Sequence, residues 1–445
     1  MSTFPSAPLL TEQDEVDSAE GGIDPLGTEP IAETLGVLLS PGVRERQLHP
    51  RFLTAMAVSM SLCEDYPLDM TAKDGTSPPW LVFEWYAVEG LVRSRGQNTK
   101  DIEGLPGRNK AATALKDGVH LSARRYLKTP SVFGFHGIYR QLARNLRIEQ
   151  DGGLGECGFE LLSIWAKEHK LDGFWGTKPG PGRQVRDRLR DALQDGLDAG
   201  HVTRSGGWSG WDFFGHHLAP YEFGRHEARF LANQLLADQK GFRGEVLHFL
   251  VSEKGRRIWS ARSSERDFHA ALSKRATPGL AELLLAIERY EAFARLMQDA
   301  FDECLFAITS RNQRTQRVST AELGRLRSVK QAAKEVPRIF AAVEESLAPF
   351  NSTALDLKLK HDFGELAVRQ SNQQWVQSLM DHHCRTQHDK PPDGKQPWVE
   401  CFEDHTFRCR PTYLEDEPPR NDGSYVHFFR TNPLWSFAQD LRMVR

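Results

Sequence analysis

The amino-acid sequence predicts a mainly α-helical protein with a small β-region near its C-terminus. Most of the chain between residues 51 and 383 repeats apolar residues at the three- and four-residue spacing of helices that pack on a core. Short β-type stretches are concentrated after Pro391. With 445 residues and 39% apolar residues, the chain can bury substantial cores and form two or three domains.

Residues 1–40 are predicted to form a disordered acidic tail. The first 43 residues carry eight Asp or Glu and no Lys or Arg, and they are rich in Gly, Pro, Ser and Thr. So little apolar surface cannot offset the entropy that is lost on ordering. The N-terminus lacks a signal peptide, and no stretch approaches the roughly eighteen apolar residues of a membrane helix. We therefore predict a cytoplasmic protein that does not contact a membrane.

Residues 41–130 are predicted to form an N-terminal helical region. The stretches 51–66 and 79–94 have the length and the apolar spacing of helices. The second stretch follows Ser77 and Pro78, and prolines at this place suit the first turn of a helix.

Residues 131–220 show the order of elements that is typical of winged-helix domains. Helical spacing at 135–147 precedes the short extended "RIEQDGG" with its tight turn, and a second helical stretch follows at 154–171. A similar order occurs at 183–218, where a basic helix leads through Gly200 into "HVTRSGGW", a candidate wing. The sequence therefore predicts winged-helix-like modules in tandem. Ordinary helices joined by Gly-rich turns are the alternative.

Residues 221–383 are predicted to form an α-helical bundle, because long stretches with helical periodicity follow one another. These helices are expected at 221–240, 243–254, 263–274, 278–310, 319–348 and 353–382. Residues 384–445 are predicted to hold a β-hairpin, built from "WVECF" and "TFRCR", and an aromatic terminal segment. This terminal segment either packs back on the bundle or binds a partner.

The sequence supports neither a dinucleotide-binding loop nor a P-loop. Gly153, Gly155 and Gly158 have the G-x-G-x-x-G spacing, but a dinucleotide loop follows a buried strand of a parallel sheet, and "NLRIEQD" is short and charged. A turn before a helix is the better interpretation. No G-x-x-x-x-G-K-[ST] motif occurs, so a P-loop ATPase is not supported.

The stretch from Asp381 to Cys409 holds four histidines and three of the six cysteines of the chain. Thiolate and imidazole groups are the ligands of tetrahedral zinc sites. The candidate ligands are Cys384, Cys401, His405 and Cys409. A tight knuckle such as C-x2-C is missing, however, and a hairpin could place Cys401 opposite Cys409 as small apolar residues. We therefore predict no metal and no cofactor.

A histidine-based nuclease is the second interpretation of the same stretch. His382 or His383 would act as the base, and a lysine would hold the phosphate. The candidate lysines are Lys390 and Lys395. We expect a helix end, a polar loop and a hairpin instead, and we assign no catalytic residue.

The distribution of charge favours contact with nucleic acid. From Tyr86 to Arg147 the chain carries twelve Lys or Arg against four Asp or Glu, and aromatic residues are interleaved with the basic ones. In the helix at 135–147, arginines are expected on a face away from the apolar stripe. The candidate nucleic-acid-binding residues are Arg108, Lys110, Arg124, Arg125, Lys128, Arg140, Arg144 and Arg147. A merely solvated basic surface is the alternative.

A second basic segment occurs at 311–338, with eight Lys or Arg against two Glu. The acidic tail could shield either basic segment until nucleic acid or a partner displaces it.

Three stretches carry a resemblance to a known group of proteins: "PPWLVFEWYAVEGLVRS", "YLKTPSVFGFHGIYRQLA" and "YEAFARLMQDAFDECL". With them, the chain resembles uncharacterised helical, winged-helix-like proteins of bacterial anti-phage defence islands. The resemblance implies a non-enzymatic component that binds DNA or joins a complex acting on foreign DNA. Partner subunits would then supply ATPase or nuclease chemistry. A nuclease and a protein scaffold without nucleic-acid binding remain the alternatives.

Overall fold

The mainly helical fold is confirmed by a computed structural model, which describes residues 24–96, 102–176, 178–237, 241–260, 264–310, 317–390, 394–428 and 430–444. These residues form nineteen α-helices, five short β-strands and several 3₁₀ turns. None of the helices in these ranges combines the length and the apolarity that a membrane crossing requires.

The helices are bounded as follows. The first ten are α1 (Glu29–Leu39), α2 (Arg51–Cys63), α3 (Pro79–Arg95), α4 (Arg108–Lys116), α5 (Pro130–Phe133), α6 (Phe135–Asn145), α7 (Glu156–Glu168), α8 (Pro181–Ala199), α9 (Trp211–His217) and α10 (Arg225–Leu236). The others are α11 (Arg243–Val251), α12 (Glu253–Ser260), α13 (Glu265–Ser273), α14 (Pro278–Ser310), α15 (Thr320–Leu323), α16 (Arg327–Leu347), α17 (Leu355–Phe363), α18 (Asn372–His388) and α19 (Asn432–Asp440). The strands are β1 (Glu149–Gln150), β2 (Gly153–Leu154), β3 (Val318–Ser319), β4 (Val399–Cys401) and β5 (Thr406–Cys409).

The chain forms two compact units, and neither is one continuous segment. Unit 1 contains the described residues up to Leu39 and those from Arg257 to Phe428, whereas unit 2 contains Ser40–Arg256 and the described residues after Phe428. These boundaries differ from the consecutive domains that the sequence predicts. Residues 221–256 belong to unit 2 and not to the predicted bundle. The terminal helix α19 also belongs to unit 2.

Unit 1 is built around α14, which runs from Pro278 to Ser310 as the sequence predicts. The helix packs along α16, and its buried face continues over the whole length, from Leu280 to Ile308. A Pro inside α16, Pro337, does not end that helix. The core of the predicted bundle is therefore a long antiparallel helix pair with shorter helices around it.

The prediction of a disordered tail is wrong for residues 24–39, whereas residues 1–23 lie outside the described part of the chain. Helix α1 packs on α14 and buries Ile31 and Leu35 completely. Asp24 accepts hydrogen bonds from the backbone N of Thr28 (3.1 Å) and of Glu29 (2.8 Å), so it satisfies free N–H groups before the helix. The few apolar residues of this acidic segment recur at helical spacing, which makes one buried face.

The predicted C-terminal hairpin is confirmed, and a third strand extends it. The strand order is β3-β5-β4, and both pairings are antiparallel. Val399 pairs with Cys409, and Cys401 pairs with Phe407. The two cysteines therefore do not lie opposite one another, which corrects the register that we expected.

Unit 2 has α3 at its centre. This helix is buried on nearly every side: Trp85 and Val88 are fully buried, and so are the carboxylates Glu84 and Glu89. Helices α4, α8 and α9 pack against it. A helix that is apolar all round belongs in a core, and its buried acids require partners.

Those partners are donors from neighbouring segments. Glu84 accepts hydrogen bonds from the Tyr126 hydroxyl (2.7 Å) and from both the backbone N (3.1 Å) and Nδ1 (3.0 Å) of His136. Gly134 lies so close to this carboxylate that a Cβ atom there would be 2.0 Å from Glu84 Oε1. The start of α6 is thus fixed against α3 by a buried carboxylate.

A buried ion pair joins α2 to α10 in unit 2. Arg51 Nη1 donates to Glu227, and both side chains are fully buried. Thr54 donates to the other oxygen of Glu227 (2.6 Å). Arg51 Nη2 also donates to the backbone O of His217 (2.5 Å) and to Nε2 of His169 (3.0 Å).

The two histidines next to Arg51 must be neutral for this network to form. Because the guanidinium can only donate, Nε2 of His169 accepts, and Nδ1 of His169 donates to Nδ1 of His217 (3.0 Å). Burial and the nearby Arg51 charge lower the pKa of His169 to about 3. Burial and the neighbouring His216 lower the pKa of His217 to about 4.

The winged-helix interpretation agrees with the structure only in the order of elements at 135–168. Strands β1 and β2 form a hairpin between α6 and α7, and Asp151 and Gly152 at its turn have positive φ angles of 51° and 84°. In the second predicted module, residues 201–208 form no hairpin, and His201 only makes an isolated bridge with Ser122. Neither module is thereby confirmed as a winged helix.

The glycines of the G-x-G-x-x-G sequence serve close packing. A Cβ atom on Gly155 would lie 2.3 Å from the backbone O of Arg147, and one on Gly158 would lie 2.3 Å from the backbone O of Ile148. The first turn of α7 therefore rests directly on the chain that leaves α6. This agrees with the interpretation of a turn before a helix.

The aromatic C-terminal segment is packed where it is described. Helix α19 buries Leu434 and Phe437 completely and packs on α11 in unit 2. Before it, in unit 1, Tyr425 is buried while Phe428 is 64% exposed. The segment packs back as one of our two alternatives expected, but α19 does so in unit 2.

Candidate nucleic-acid interface

Helix α6 has the two faces that the sequence predicts. Ile138 and Leu142 are buried, and so is Leu146 just beyond the helix. Arg140 and Arg144 lie one helical turn apart, and their side chains are 51% and 46% exposed. The helix therefore holds two arginines on its open face while its apolar stripe fixes it in the core.

Arg147 is not on this helix, which corrects our prediction. The helix ends at Asn145, and Arg147 adopts a positive φ of 55° in the turn that leads to β1. Its Nη1 is 3.3 Å from Glu156, and both side chains are well exposed. An exposed pair of this kind contributes little to stability.

A buried carboxylate holds the two helical arginines side by side. Glu149 on β1 is 3% exposed in its side chain, and it accepts from Nε of Arg144 (3.0 Å) and Nε of Arg140 (3.3 Å). One negative charge thus faces two positive charges, which leaves a net positive charge. The contacts use the Nε atoms, so the outer nitrogens of both guanidinium groups have no partner among the residues that the structure describes and can bind a ligand.

No pattern in the sequence indicates the role of Glu149. It follows the helix by several residues, and only the hairpin of β1 and β2 turns its side chain back toward Arg140 and Arg144. A carboxylate two residues after Arg147 looks like part of a polar loop.

The other predicted residues lie on two neighbouring parts of unit 2. Arg108 and Lys110 are half-buried in the first turn of α4. Arg124 and Arg125 are exposed on a short 3₁₀ turn, and neither forms an ion pair with any of the described residues. Lys128 is exposed shortly after this turn.

In unit 1, the second basic segment is only partly described, because Arg311 and Arg314 lie outside the described residues. Arg317 packs on the ring of Phe402, 3.4 Å from its centroid, and lies 3.8 Å from Asp404. The exposed face of α16 carries Arg327, Lys330, Lys334 and Arg338, and Glu335 pairs with the last two. Because Glu335 offsets part of their charge, this face carries less positive charge than the count of Lys and Arg at 311–338 implies.

Comparisons with known proteins do not add to this description. No protein-family model matches the chain, and no curated protein or solved structure matches it either. The interpretation of the site therefore depends on the geometry of its own residues.

The proposed nuclease base is buried in the core of unit 1. His383 is fully buried; its Nδ1 donates to the backbone O of Pro25 (2.8 Å), and its Nε2 accepts from the backbone N of Trp398 (2.9 Å). His382 contacts the backbone O of Leu26 (2.7 Å). Burial lowers the pKa of both histidines, that of His383 to about 4.

These contacts make His383 unsuited to act as a general base. A general base needs a free nitrogen within reach of the substrate, and both nitrogens of His383 are used inside the protein. Lys390, the candidate phosphate ligand, donates from Nζ to the backbone O of Asp24 (2.6 Å), and burial lowers its pKa to about 8. The histidines and Lys390 instead hold the segment 24–26 against α18.

The candidate zinc ligands are not gathered into one cluster. Among the described residues, no group of three or more His, Cys, Asp or Glu is arranged to hold a metal ion. Cys409 donates to the backbone O of Tyr413 (3.1 Å), and His405 contacts Oε1 of Gln377 (3.1 Å). Cys384 and Cys401 alone come together, with 3.2 Å between their sulfurs.

Mild oxidation is expected to join Cys384 and Cys401 in a disulfide, because their sulfurs already touch and Cys401 is exposed. The hydrogen bond from Cys384 lowers the pKa of Cys401, which favours its reactive thiolate. Treatment with a peroxide should remove two alkylatable thiols and lower the mass by two hydrogen atoms. The same result in Cys384→Ser, or its absence in Cys409→Ser, would contradict this pairing.

Proposed function

We propose that the protein is a cytoplasmic, non-enzymatic DNA-binding or assembly component of a bacterial system acting on foreign DNA. Its DNA-contacting surface comprises the open face of α6 and the basic 3₁₀ turn of the same unit. Arg140 and Arg144 make the central contacts. Arg124, Arg125 and Lys128 add positive charge.

The observation that carries this proposal is the shared carboxylate of Glu149. Long arginine side chains lose conformational freedom when they bind a phosphate, which costs free energy. Glu149 restricts Arg140 and Arg144 before any ligand arrives, and it neutralises only one of them. The outer guanidinium nitrogens can then bind two oxygens of a phosphate, as arginine does in bidentate pairs.

The position of Arg140 and Arg144 on a well-packed helix also supports DNA binding by this face. Phe135 and Tyr139 are fully buried, so their rings hold α6 against the core. Contacts of this type position a duplex without reading its sequence, and they weaken as salt is added.

The test is a variant that removes the arginines without leaving a buried charge. Changing Arg140 and Arg144 alone would strand Glu149, so the variant is Arg140→Gln/Arg144→Gln/Glu149→Gln. Affinity for a short DNA duplex should fall by more than about tenfold at roughly 50 mM salt, and the salt slope should decrease by about two units. Fluorescence anisotropy over a salt series measures both quantities.

A matched control exists on α8 of the same unit. The change Arg183→Gln/Asp187→Gln/Arg188→Gln also removes two positive charges and one negative charge from exposed positions. It should leave DNA affinity within about twofold, since it preserves the α6 face. If wild type does not bind DNA, or both variants lose affinity equally, the proposal fails and a scaffold that binds only protein takes its place.

A further inference from the structure

A cleft of about 610 Å³ opens on unit 2 beside α3. Arg93 and His120 line one part of it, and Leu115, Val119 and Trp211 supply apolar surface. Asp212 lies at the start of α9 and is exposed. This volume is in the range of small-molecule sites, which combine apolar walls with a few directed polar groups.

Glu89 fixes the two basic side chains of the cleft. Its carboxylate is fully buried, and its Oε1 accepts from Nη2 of Arg93 (2.8 Å) and from Nδ1 of His120 (2.8 Å). Oε2 lies 3.4 Å from the backbone N of Leu121. Because Arg93 and His120 bind the same oxygen, their polar ends lie next to each other.

The remaining nitrogens of these two side chains have no hydrogen-bond partner among the described residues. Nε and Nη2 of Arg93 bind Glu89, so within this part of the chain Nη1 is left for a ligand, and Nε2 of His120 is left in the same way. The guanidinium group lies over the ring of Trp211, 4.9 Å from its centroid, which fixes its plane. A Cβ atom on Gly206 would lie 3.2 Å from Nη1, so this glycine keeps the approach to Nη1 open.

The charges of these groups favour an anion with an organic body. Arg93 balances Glu89, and the imidazolium form of His120 adds a positive charge beside Arg93. A phosphate monoester carries almost two negative charges at neutral pH and presents several acceptor oxygens. The apolar wall suits a flat ring, and the Asp212 carboxylate can accept a hydrogen bond from a hydroxyl or an amino group.

We propose that this cleft binds the phosphate monoester of a nucleotide, with Arg93 and His120 on the phosphate and Glu89 as their positioning residue. The nucleotide can be a free mononucleotide or the phosphorylated end of a DNA strand. The second source rests on the proposed function of the α6 face. The first does not.

Calorimetric titration of the full chain separates these sources. The probes are a deoxynucleoside 5′-monophosphate, the same nucleoside without phosphate, inorganic phosphate, and a short single strand with and without a 5′-phosphate. The monophosphate should bind at least about tenfold more tightly than the nucleoside and than inorganic phosphate. A strand end as ligand requires, in addition, that the 5′-phosphate strengthens strand binding by a similar factor.

Two variants locate the binding. His120→Gln removes the imidazole, and Val119→Trp fills the cleft while Glu89, Arg93 and His120 themselves are unchanged. Both should abolish the phosphate-dependent part of the affinity. Leu68→Trp, at a side chain that is 90% exposed elsewhere in unit 2, is the matched control and should bind as wild type does.

The inference is overturned if the monophosphate does not bind, if inorganic phosphate binds equally well, or if Val119→Trp leaves its affinity unchanged. A strand that binds without its phosphate, and loses affinity only in the α6 variant, would support the proposed function while it overturns this one. If the monophosphate binds through its phosphate but unphosphorylated DNA does not bind at all, the cleft proposal is supported and the proposed function is overturned.

Discussion

Replacing Arg51 by Met is expected to destabilise unit 2 by about 3–5 kcal/mol, because Glu227 would remain buried without a compensating charge. Thr54 and the backbone N of Gly224 would be its remaining donors. Burial already raises the pKa of Glu227, and the loss of Arg51 would raise it further. The variant should therefore lose less stability at acidic pH, where the carboxyl group takes up a proton. Hydrogen exchange of amides in unit 2 measures the change without assuming that the chain unfolds in one step.

A second substitution tests whether the uncompensated charge of Glu227 causes the loss of stability in Arg51→Met. Arg51→Met/Glu227→Gln removes both charges and keeps an acceptor for Thr54, so it should recover most of the lost stability. As a control, Arg183→Met breaks an exposed pair with Asp187 and should cost less than about 1 kcal/mol. If the double variant is as unstable as the single one, the lost packing of Arg51 is responsible, and not the charge.

Lowering the pH from 7 to 5 is expected to destabilise unit 1 by about 2 kcal/mol through His383 alone. Burial lowers the pKa of this histidine to about 4, whereas the unfolded chain has an ordinary histidine pKa near 6.5. Between these values the unfolded chain binds more protons than the folded one, so stability is complete above pH 6.5 and is lost as the pH falls toward 4. Denaturant unfolding at several pH values, with exchange of unit 1 amides as readout, gives this slope.

The His383→Gln variant should be less stable at pH 7, because one amide group cannot replace both the bond to Pro25 and the bond from Trp398. Its stability should nevertheless change less between pH 7 and pH 5 than that of wild type. His405 is exposed, and His405→Gln should keep the wild-type slope. An unchanged slope in His383→Gln would show that other groups cause the acid sensitivity.

Periodicity predicted the longest helix well, because it buries one continuous apolar stripe, but the helices predicted at 319–348 and 353–382 are each divided in two. Helix α14 begins and ends where the sequence predicts, and the apolar stripe of α6 is buried as expected. The acidic composition wrongly predicted disorder for the residues of α1. An average over the whole segment does not show that Ile31 and Leu35 recur at helical spacing. The units also could not be predicted, because nothing in the local sequence shows that α19 returns to unit 2.

The candidate site was predicted only in part, because contacts between distant segments are not visible in the local sequence. Counts of basic residues identified Arg140 and Arg144, but they did not show that Glu149 lies between them. The same counts treated Arg93 as one more surface charge, although Glu89 and Trp211 hold it in a cleft. Pairing across distant segments decides which charges can reach a ligand, and a single sequence contains no direct signal for it.

The division of the chain between two units has a consequence for its synthesis on the ribosome. Helix α1 belongs to unit 1, but α14, the helix on which it packs, emerges roughly 240 residues later. At about 5–20 residues per second, the nascent helix waits roughly 12–48 s with its apolar face uncovered. Most of unit 2 is synthesised during this interval, but α19 follows only when residues 432–440 emerge. The apolar face of α1 must therefore be shielded, by a chaperone or by other parts of the nascent chain, until α14 has been synthesised.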